Sequence, residues 1–221
     1  MTNIELFVAE LCPFAARARL VLAEKHISAT EIEVDLRQKP GWFLEISPNG
    51  KVPLLRHDGK LVSEATIIAE YVEEAFSKHR LLPGQPHARA QARAWVSFAD
   101  NRLYAKTEVL LHSFDSDMHG PIAAKLADDL RFLEERGLAN PARTGPYLLG
   151  AEFSLADLAL YPWFEQVAVL ERYRSFHFPR ECQRLLAWQE AVADRAAVRA
   201  VGKPAQFYLE RYARLLRSAT A

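Results

Sequence analysis

The stretch Leu11-Cys12-Pro13-Phe14-Ala15-Ala16-Arg17 joins two different periodicities. Before it, Ile4 to Val8 is a short apolar run that alternates like a strand. After it, Ala15 to His26 carries Leu20, Val21, Ala23 and Glu24 at helix-compatible spacings. Pro13 fits the first helical position, where no N–H is needed, so Cys12 falls at the helix N-cap. The N–H groups of Phe14 and Ala15 are then expected to point toward its sulfur. A helix N-terminus stabilises a partly buried anion by up to ~2 kcal/mol, and one pKa unit is ~1.4 kcal/mol. The dipole alone thus lowers a thiol pKa by about one unit, and amide hydrogen bonds add to that. The competing reading is a small buried hydrophobe at a strand end. The Pro-initiated helix favours reactivity.

A dithiol redox motif would place a second Cys at position 15, and this chain has Ala15. Cys12 cannot close a local disulfide. If it attacks a disulfide it is left as a mixed disulfide, which an external thiol must release. That points toward a soluble thiol such as glutathione. Cys182 is the only other cysteine, so a disulfide scaffold is excluded on count, though a single long-range bridge is not. A reducing cytosol is the simpler setting, and a cytoplasmic protein is expected.

The 28 basic and 28 acidic side chains cancel, which argues against a nucleic-acid-binding surface. No apolar run of about eighteen residues suggests a membrane span. Met1-Thr2-Asn3-Ile4-Glu5 does not read as a secretory signal, because no basic region leads into an apolar stretch. With 221 residues, half of them hydrophobic, the chain has room for one or two domains.

Strand and helix patterns alternate over the first eighty residues. Glu31 to Leu36 alternates polar and apolar and reads as a strand. Lys39 to Glu45 reads as a short helix or an irregular turn. Lys51 to Arg56 is an apolar run interrupted by Pro53. Asp58-Gly59 between apolar runs is a hairpin signal, and Leu61-Val62 continues the returning strand. Ser63 or Glu64 can cap a helix with apolar positions Ile67, Ile68, Tyr71, Val72 and Phe76. This order of elements is the thioredoxin-like arrangement. Pro53 has two readings. With a cis Val52–Pro53 bond, the chain turns sharply and offers the Val52 backbone to an extended ligand as an added strand. With a trans bond, it is an ordinary proline at a strand start.

Ser77 to Pro86 holds Lys78, His79, Arg80, Pro83, Gly84 and Pro86, and no regular element survives that composition. The domain boundary is placed there, giving an N-terminal domain over 1–78 and a helical one over 87–221. Trp95, Phe98, Ala99 and Leu103 mark a long helix running to about Asp117, broken by His119-Gly120-Pro121. A second helix is expected over Ile122 to Arg136 with Gly137 ending it, then an irregular loop at Asn140-Pro141 and Thr144-Gly145-Pro146. Ser154 and Asp157 form an acidic capping box, with Phe153 against Leu158 as its staple. Its role is folding, so Asp157 is assigned no chemistry. Further helical patterns cover Leu158 to Phe164, Cys182 to Arg195, and a tail from Ala197 to Arg217 read as one amphipathic helix. Cys182 is read as a packing residue. The seven histidines show no ligand spacing, so no metal site is expected.

Cys12-Pro13-Phe14-Ala15, Lys39-Pro40-Gly41-Trp42-Phe43, Asn49-Gly50-Lys51-Val52-Pro53-Leu54-Leu55 and Ser63-Glu64-Ala65-Thr66-Ile67-Ile68-Ala69-Glu70-Tyr71 together resemble the glutathione S-transferase superfamily. Within it they are most similar to the cysteine-type, omega-like class. The resemblance is dense over the first 85 residues and looser after them. It implies the glutathione S-transferase fold: an α/β thioredoxin-like domain followed by an all-α domain. It also implies glutathione as co-substrate and a two-fold homodimer.

Residue by residue, Cys12 matches the family's catalytic cysteine, and Phe14 lies where the helix start lines the glutathione site. Lys39 matches the lysine that meets the glycine carboxylate, although a lysine before proline is also an ordinary solvated loop residue. Val52, ahead of the family's cis-proline at Pro53, matches the residue whose backbone pairs with the cysteinyl part. Glu64 matches the holder of the γ-glutamyl ammonium, and it also suits a helix start through the macrodipole. Position 65 departs from the pattern, with Ala65 where the family usually has Ser. The Ala65 amide can still bind the γ-glutamyl carboxylate, while the lost hydroxyl bond costs ~1 kcal/mol. The long first helix and the tail of the helical domain imply walls for a second-substrate site, with Tyr104, Tyr208 and Tyr212 as positional candidates.

The implied activity is a glutathione-dependent thiol transferase or reductase, acting on small or protein disulfides or on dehydroascorbate-type oxidised substrates. Two other readings are a non-catalytic glutathione-transferase-like regulatory protein and a conjugating glutathione transferase that uses the same pocket.

Overall fold

The computed structural model describes residues 3–113, 115–139 and 143–219, with side chains through 215. The expected loop at Asn140-Pro141 lies outside the described residues. The chain divides into two compact units, Met1–Leu81 with Ala196–Val201, and Leu82–Arg195 with Gly202–Ala221.

In the first unit, β1 (Ile4–Val8), α1 (Pro13–Glu24), β2 (Thr30–Glu33), α2 (Gly41–Ile46), β3 (Leu54–His57), β4 (Lys60–Ser63) and α3 (Ala65–Ala75) follow one another. The sheet order is β2-β1-β3-β4. β1 runs parallel to β2 and antiparallel to β3, and β3 is antiparallel to β4. Leu6, Phe7 and Val8 of β1 are buried with Leu54 and Leu55 of β3, as central-strand residues must be. Asp58 (φ 47°) and Gly59 (φ 81°) both take positive φ, the geometry of the two-residue hairpin turn that Asp-Gly announces. β2 is shorter than the expected strand: after Glu33 only the Val34 N–H still reaches Val8 O, at 2.8 Å, and Asp35 Oδ1 accepts from Arg37 N–H at 2.8 Å to start a turn. α3 buries Ala65, Ile68, Ala69 and Val72, whereas Ile67 is 55% exposed. One helical face accounts for all four buried residues, and the apolar Ile67 lies off it. α10 (Ala196–Val201) packs along α1 within this unit. The expected single tail helix is thus two helices, α10 and α11 (Ala205–Ala219), with Pro204 between them.

In the second unit, α4 (Pro86–Phe98) passes through a π turn, Ala99–Tyr104, into α5 (Ala105–His112). His119-Gly120-Pro121 does not break a helix; it opens α6 (His119–Phe132), because the first turn has no N–H to lose to a proline. Gly137 does not end that helix either. It lies inside the π turn Leu133–Leu138, where a Cβ would stand 2.9 Å from Leu133 Cδ1 and 3.2 Å from Trp95 Cζ2. Close packing selects glycine there. α7 (Leu155–Glu165) is buried from Leu155 through Phe164 and begins at the expected capping box. Asp157 Oδ1 accepts from Leu148 N–H and Trp188 Nε1–H, both at 2.7 Å, and Oδ2 accepts from the Ser154 N–H and hydroxyl, both at 2.9 Å. α8 (Val167–Tyr173), α9 (Gln183–Ala193) and α11 complete the unit. Tyr208 of α11 donates to Glu165 Oε2 at 3.0 Å, and Tyr104 donates to Ala159 O at 3.3 Å. Both phenols are thus engaged in packing. Among the described residues no helix is long and apolar enough to cross a membrane.

Candidate active site around Cys12

Cys12 occupies the N-cap of α1 with extended backbone (φ −77°, ψ 113°), and Pro13 opens the helix as expected. Cys12 N–H donates to Ala9 O at 3.2 Å, closing a tight turn between β1 and α1. The side chain is half-buried and packs against the apolar cluster of Phe7, Ala9, Val34, Phe43, Val52 and Leu54. The expected bonds from the α1 amides to the sulfur are absent, since the cap carries no side-chain hydrogen bond. Cys12 Sγ instead donates to the Val52 carbonyl at 3.7 Å. A protonated thiol is a weak donor and turns toward an acceptor.

The acceptor is available because of how the chain enters β3. The Val52–Pro53 peptide is cis, which decides between the two readings of Pro53. The β1–β3 ladder reaches only to the Phe7–Leu54 pair. Val52 therefore lies beyond the paired register, on the side where β1 runs on toward Cys12.

One loop, from Ser47 to Pro53, connects the remaining candidates. Ser47 Oγ accepts from Lys51 N–H at 3.2 Å, and Asn49 Oδ1 accepts from the same N–H at 3.1 Å. Asn49 Nδ2 donates to Glu64 Oε1 at 2.8 Å. Gly50 takes φ 61°, and a Cβ on it would stand 3.6 Å from Lys39 Nζ. Lys39, Glu64 and Cys12 each therefore touch this loop, through Gly50, Asn49 and Val52 respectively. Glu64 itself holds φ 69° and ψ 122° at the N-cap of α3. A non-glycine residue there is strained, and such strain clusters at functional positions.

Ala65 is buried as the first residue of α3. The next hydroxyl, Thr66 Oγ1, accepts from Arg17 Nη1 at 3.1 Å. The Arg17 guanidinium also lies 5.3 Å from the centre of the Phe14 ring. Arg17 and Asn49, which the sequence reading did not single out, each contact a candidate residue or its neighbour. Arg17 carried a signal, a charged residue among the apolar positions of α1. Asn49 carried only a turn signal, with nothing to indicate a partner at Glu64.

Residues 6–83 match the family described as glutathione S-transferase, N-terminal domain, and residues 86–191 match glutathione S-transferase, C-terminal domain. Glutathione S-transferase U25 of Arabidopsis thaliana is 34% identical over 190 residues, covering 84% of this chain and 82% of the relative.

The chain belongs to the glutathione S-transferase family.

Glutathione transferase Omega 3C from Trametes versicolor aligns with a TM-score of 0.82 at 30% identity, over 99% of this chain and 92% of that one. A Tau class glutathione S-transferase from mango, Mangifera indica, aligns with a TM-score of 0.87 at 24% identity, over 97% and 98% of the two chains, and shares the fold. This family member thus combines a thioredoxin-like unit and a helical unit with affinity to the omega class.

The two thiols of this family member differ sharply. Cys182, at the N-cap of α9, is 1% exposed. Burial, with Glu134 and Glu181 nearby, pushes its thiol up to about 11. It is held protonated, which fits the packing role read from sequence.

Proposed function

We propose that the protein is a glutathione-dependent thiol transferase or reductase of the omega-like type, working through a mixed disulfide on Cys12. Glutathione is the co-substrate of its family. The observation that carries the reading is a half-buried cysteine at the N-cap of a Pro-initiated helix, with Ala15 where a resolving cysteine would stand.

The Cys12 thiolate attacks the glutathionyl sulfur of a mixed disulfide R–S–SG. A Cys12–SG bond forms, and RS⁻ leaves and takes a proton from solvent. A second glutathione, as thiolate, attacks the glutathionyl sulfur on Cys12. Oxidised glutathione leaves and the Cys12 thiolate is restored. The sum is RSSG + GSH → RSH + GSSG. For dehydroascorbate, two glutathiones are oxidised to GSSG as ascorbate forms.

In this reading the Val52 backbone, ahead of Pro53, pairs with the cysteinyl part of glutathione. Lys39 meets the glycine carboxylate, and Glu64 meets the γ-glutamyl ammonium. The Ala65 amide meets the γ-glutamyl carboxylate, and Phe14 lines the pocket beside the sulfur. A two-fold homodimer in a reducing compartment such as the cytoplasm belongs to the same proposal. Conjugation is disfavoured, because a cysteine thiolate has no proton to donate to a bound glutathione thiolate.

Turnover with a glutathionylated peptide, dehydroascorbate and a chloro-aromatic electrophile, each for the wild type and Cys12→Ser, tests the proposal. Reduction is expected to vanish in Cys12→Ser while conjugation is kept or rises. Unchanged disulfide reduction in the variant overturns it.

A further inference from the structure

We infer that Asn49 is a positioning residue that aims Glu64 at the α-ammonium of a γ-glutamyl ligand, so that the preference for such a ligand over one without the ammonium depends on this amide. The inference rests on the glutathione-dependent reading, which gives Glu64 the ammonium, and deepens it.

Three observations carry it. The first is the direction of the Asn49 bonds. Asn49 Oδ1 accepts from Lys51 N–H at 3.1 Å. That N–H can only donate, so the atom turned to Glu64 is the amide nitrogen. Nδ2 then donates to Glu64 Oε1 at 2.8 Å. Among the described residues Glu64 takes no other hydrogen bond or ion pair, which leaves Oε2 as an acceptor.

The second is that the loop has another closure. Ser47 Oγ accepts from Lys51 N–H and donates to Lys51 O, each at 3.2 Å, and Ser47 O accepts from Gly50 N–H at 3.3 Å. Ser47 is buried, so water competes little with these bonds. Asn49 Oδ1 is a second acceptor on an N–H that Ser47 already holds. The Nδ2 bond is what joins the loop to Glu64.

The third is where Glu64 stands. Its backbone holds φ 69° at the N-cap of α3, which fixes the direction in which the side chain leaves. A glutamate keeps several torsions beyond that point, and Asn49 fixes their far end. Both side chains are exposed, where such a bond adds little to folding. Its effect falls on the position of the carboxylate. An ammonium that meets a carboxylate already pinned has less side-chain freedom to remove on binding. Asn49 is also neutral, so it directs the carboxylate without pairing off the charge that attracts the ammonium.

The test uses the full chain and two peptides whose central residue is 2-aminobutyrate, so that no disulfide forms on Cys12. One is γ-glutamyl-2-aminobutyryl-glycine. The other carries glutaryl in place of γ-glutamyl and lacks only the α-ammonium. Calorimetry reads both affinities for the wild type and for Asn49→Ala. The wild type is expected to bind the γ-glutamyl peptide about tenfold tighter, as a charge-assisted contact requires. Asn49→Ala is expected to weaken the γ-glutamyl peptide about fivefold and the glutaryl peptide by less than about twofold. A loop that is merely disturbed weakens both peptides alike. Equal losses in the variant therefore overturn the inference, and so does undiminished affinity for the γ-glutamyl peptide. Should the glutaryl peptide bind too weakly to titrate, Asn49→Ala is repeated with the γ-glutamyl peptide in a Glu64→Gln background. With no carboxylate left to aim, its cost is expected to fall below about twofold. A cost equal to that in the wild-type background overturns the inference. Equal binding of the two peptides by the wild type overturns the inference alone and leaves the glutathione reading standing. Failure of the wild type to bind the γ-glutamyl peptide overturns both.

Discussion

Arg17 Nη1 donates a 3.1 Å hydrogen bond to Thr66 Oγ1, tying α1 to the first turn of α3. The guanidinium makes this bond from the core, where Arg17 is 1% exposed. One residue earlier stands Ala65, without the hydroxyl that the family usually has there. Ala65→Ser is expected to tighten glutathione binding about fivefold, the equivalent of one hydrogen bond of about 1 kcal/mol. Calorimetric titration measures it. Unchanged affinity would show that the Thr66 hydroxyl already serves the carboxylate.

The two cysteines should respond differently to alkylation. Cys182 is buried with its thiol pushed up to about 11, whereas Cys12 is half-buried at a helix start. Native protein treated with iodoacetamide near neutral pH should acquire one adduct, on Cys12. Peptide mass spectrometry reads the position. Modification of Cys182 at a comparable rate contradicts the assignment.

Asp157→Ala should cost about 3–5 kcal/mol of stability. The change strands four donors in a buried site: Leu148 N–H, Ser154 N–H, the Ser154 hydroxyl and Trp188 Nε1–H. Urea unfolding measures the loss. Disulfide reduction per folded molecule should be unaffected, because this carboxylate organises α7 and has no part in the chemistry.

Glu165 predicts a pH dependence of stability. Burial pushes its carboxyl from 4.5 up to about 7, against the Tyr208 hydrogen bond and the Lys203 charge. Below the lower value both folded and unfolded chains hold the proton. Between 4.5 and about 7 the unfolded chain releases it while the folded one keeps it, so stability falls as pH rises and levels off above that window. The full fall is about 3 kcal/mol from this group. Denaturant midpoints across the range should show the slope in the wild type and lose it in Glu165→Gln.

Much of the molecule was legible because its signals act over a few residues. Pro13 placed Cys12 at a helix N-cap, Asp58-Gly59 announced the hairpin, and Ser154 with Asp157 announced the start of α7. Where the reading failed, a short-range rule met a tertiary demand. Gly137 looked like a helix stop and is instead a point of close approach to Trp95. The tail from Ala197 to Arg217 looked like one amphipathic helix and is instead two, with Pro204 between them.

From its residues alone the chain determined the element order of its first eighty residues and its strand-to-helix junction at Cys12, while the candidates Phe14, Lys39, Val52, Pro53, Glu64 and Ala65 are what the resemblance to the glutathione S-transferase superfamily implies. Periodicity, caps and turn residues are properties of neighbours in sequence. Only the tertiary structure decided that Cys12 faces the Val52 carbonyl rather than its own helix amides, that Asn49 holds Glu64, and that Arg17 holds Thr66. These partners lie 15 to 49 residues apart along the chain. They meet because sheet register and helix packing bring distant segments within hydrogen-bond range, and no local pattern encodes that distance.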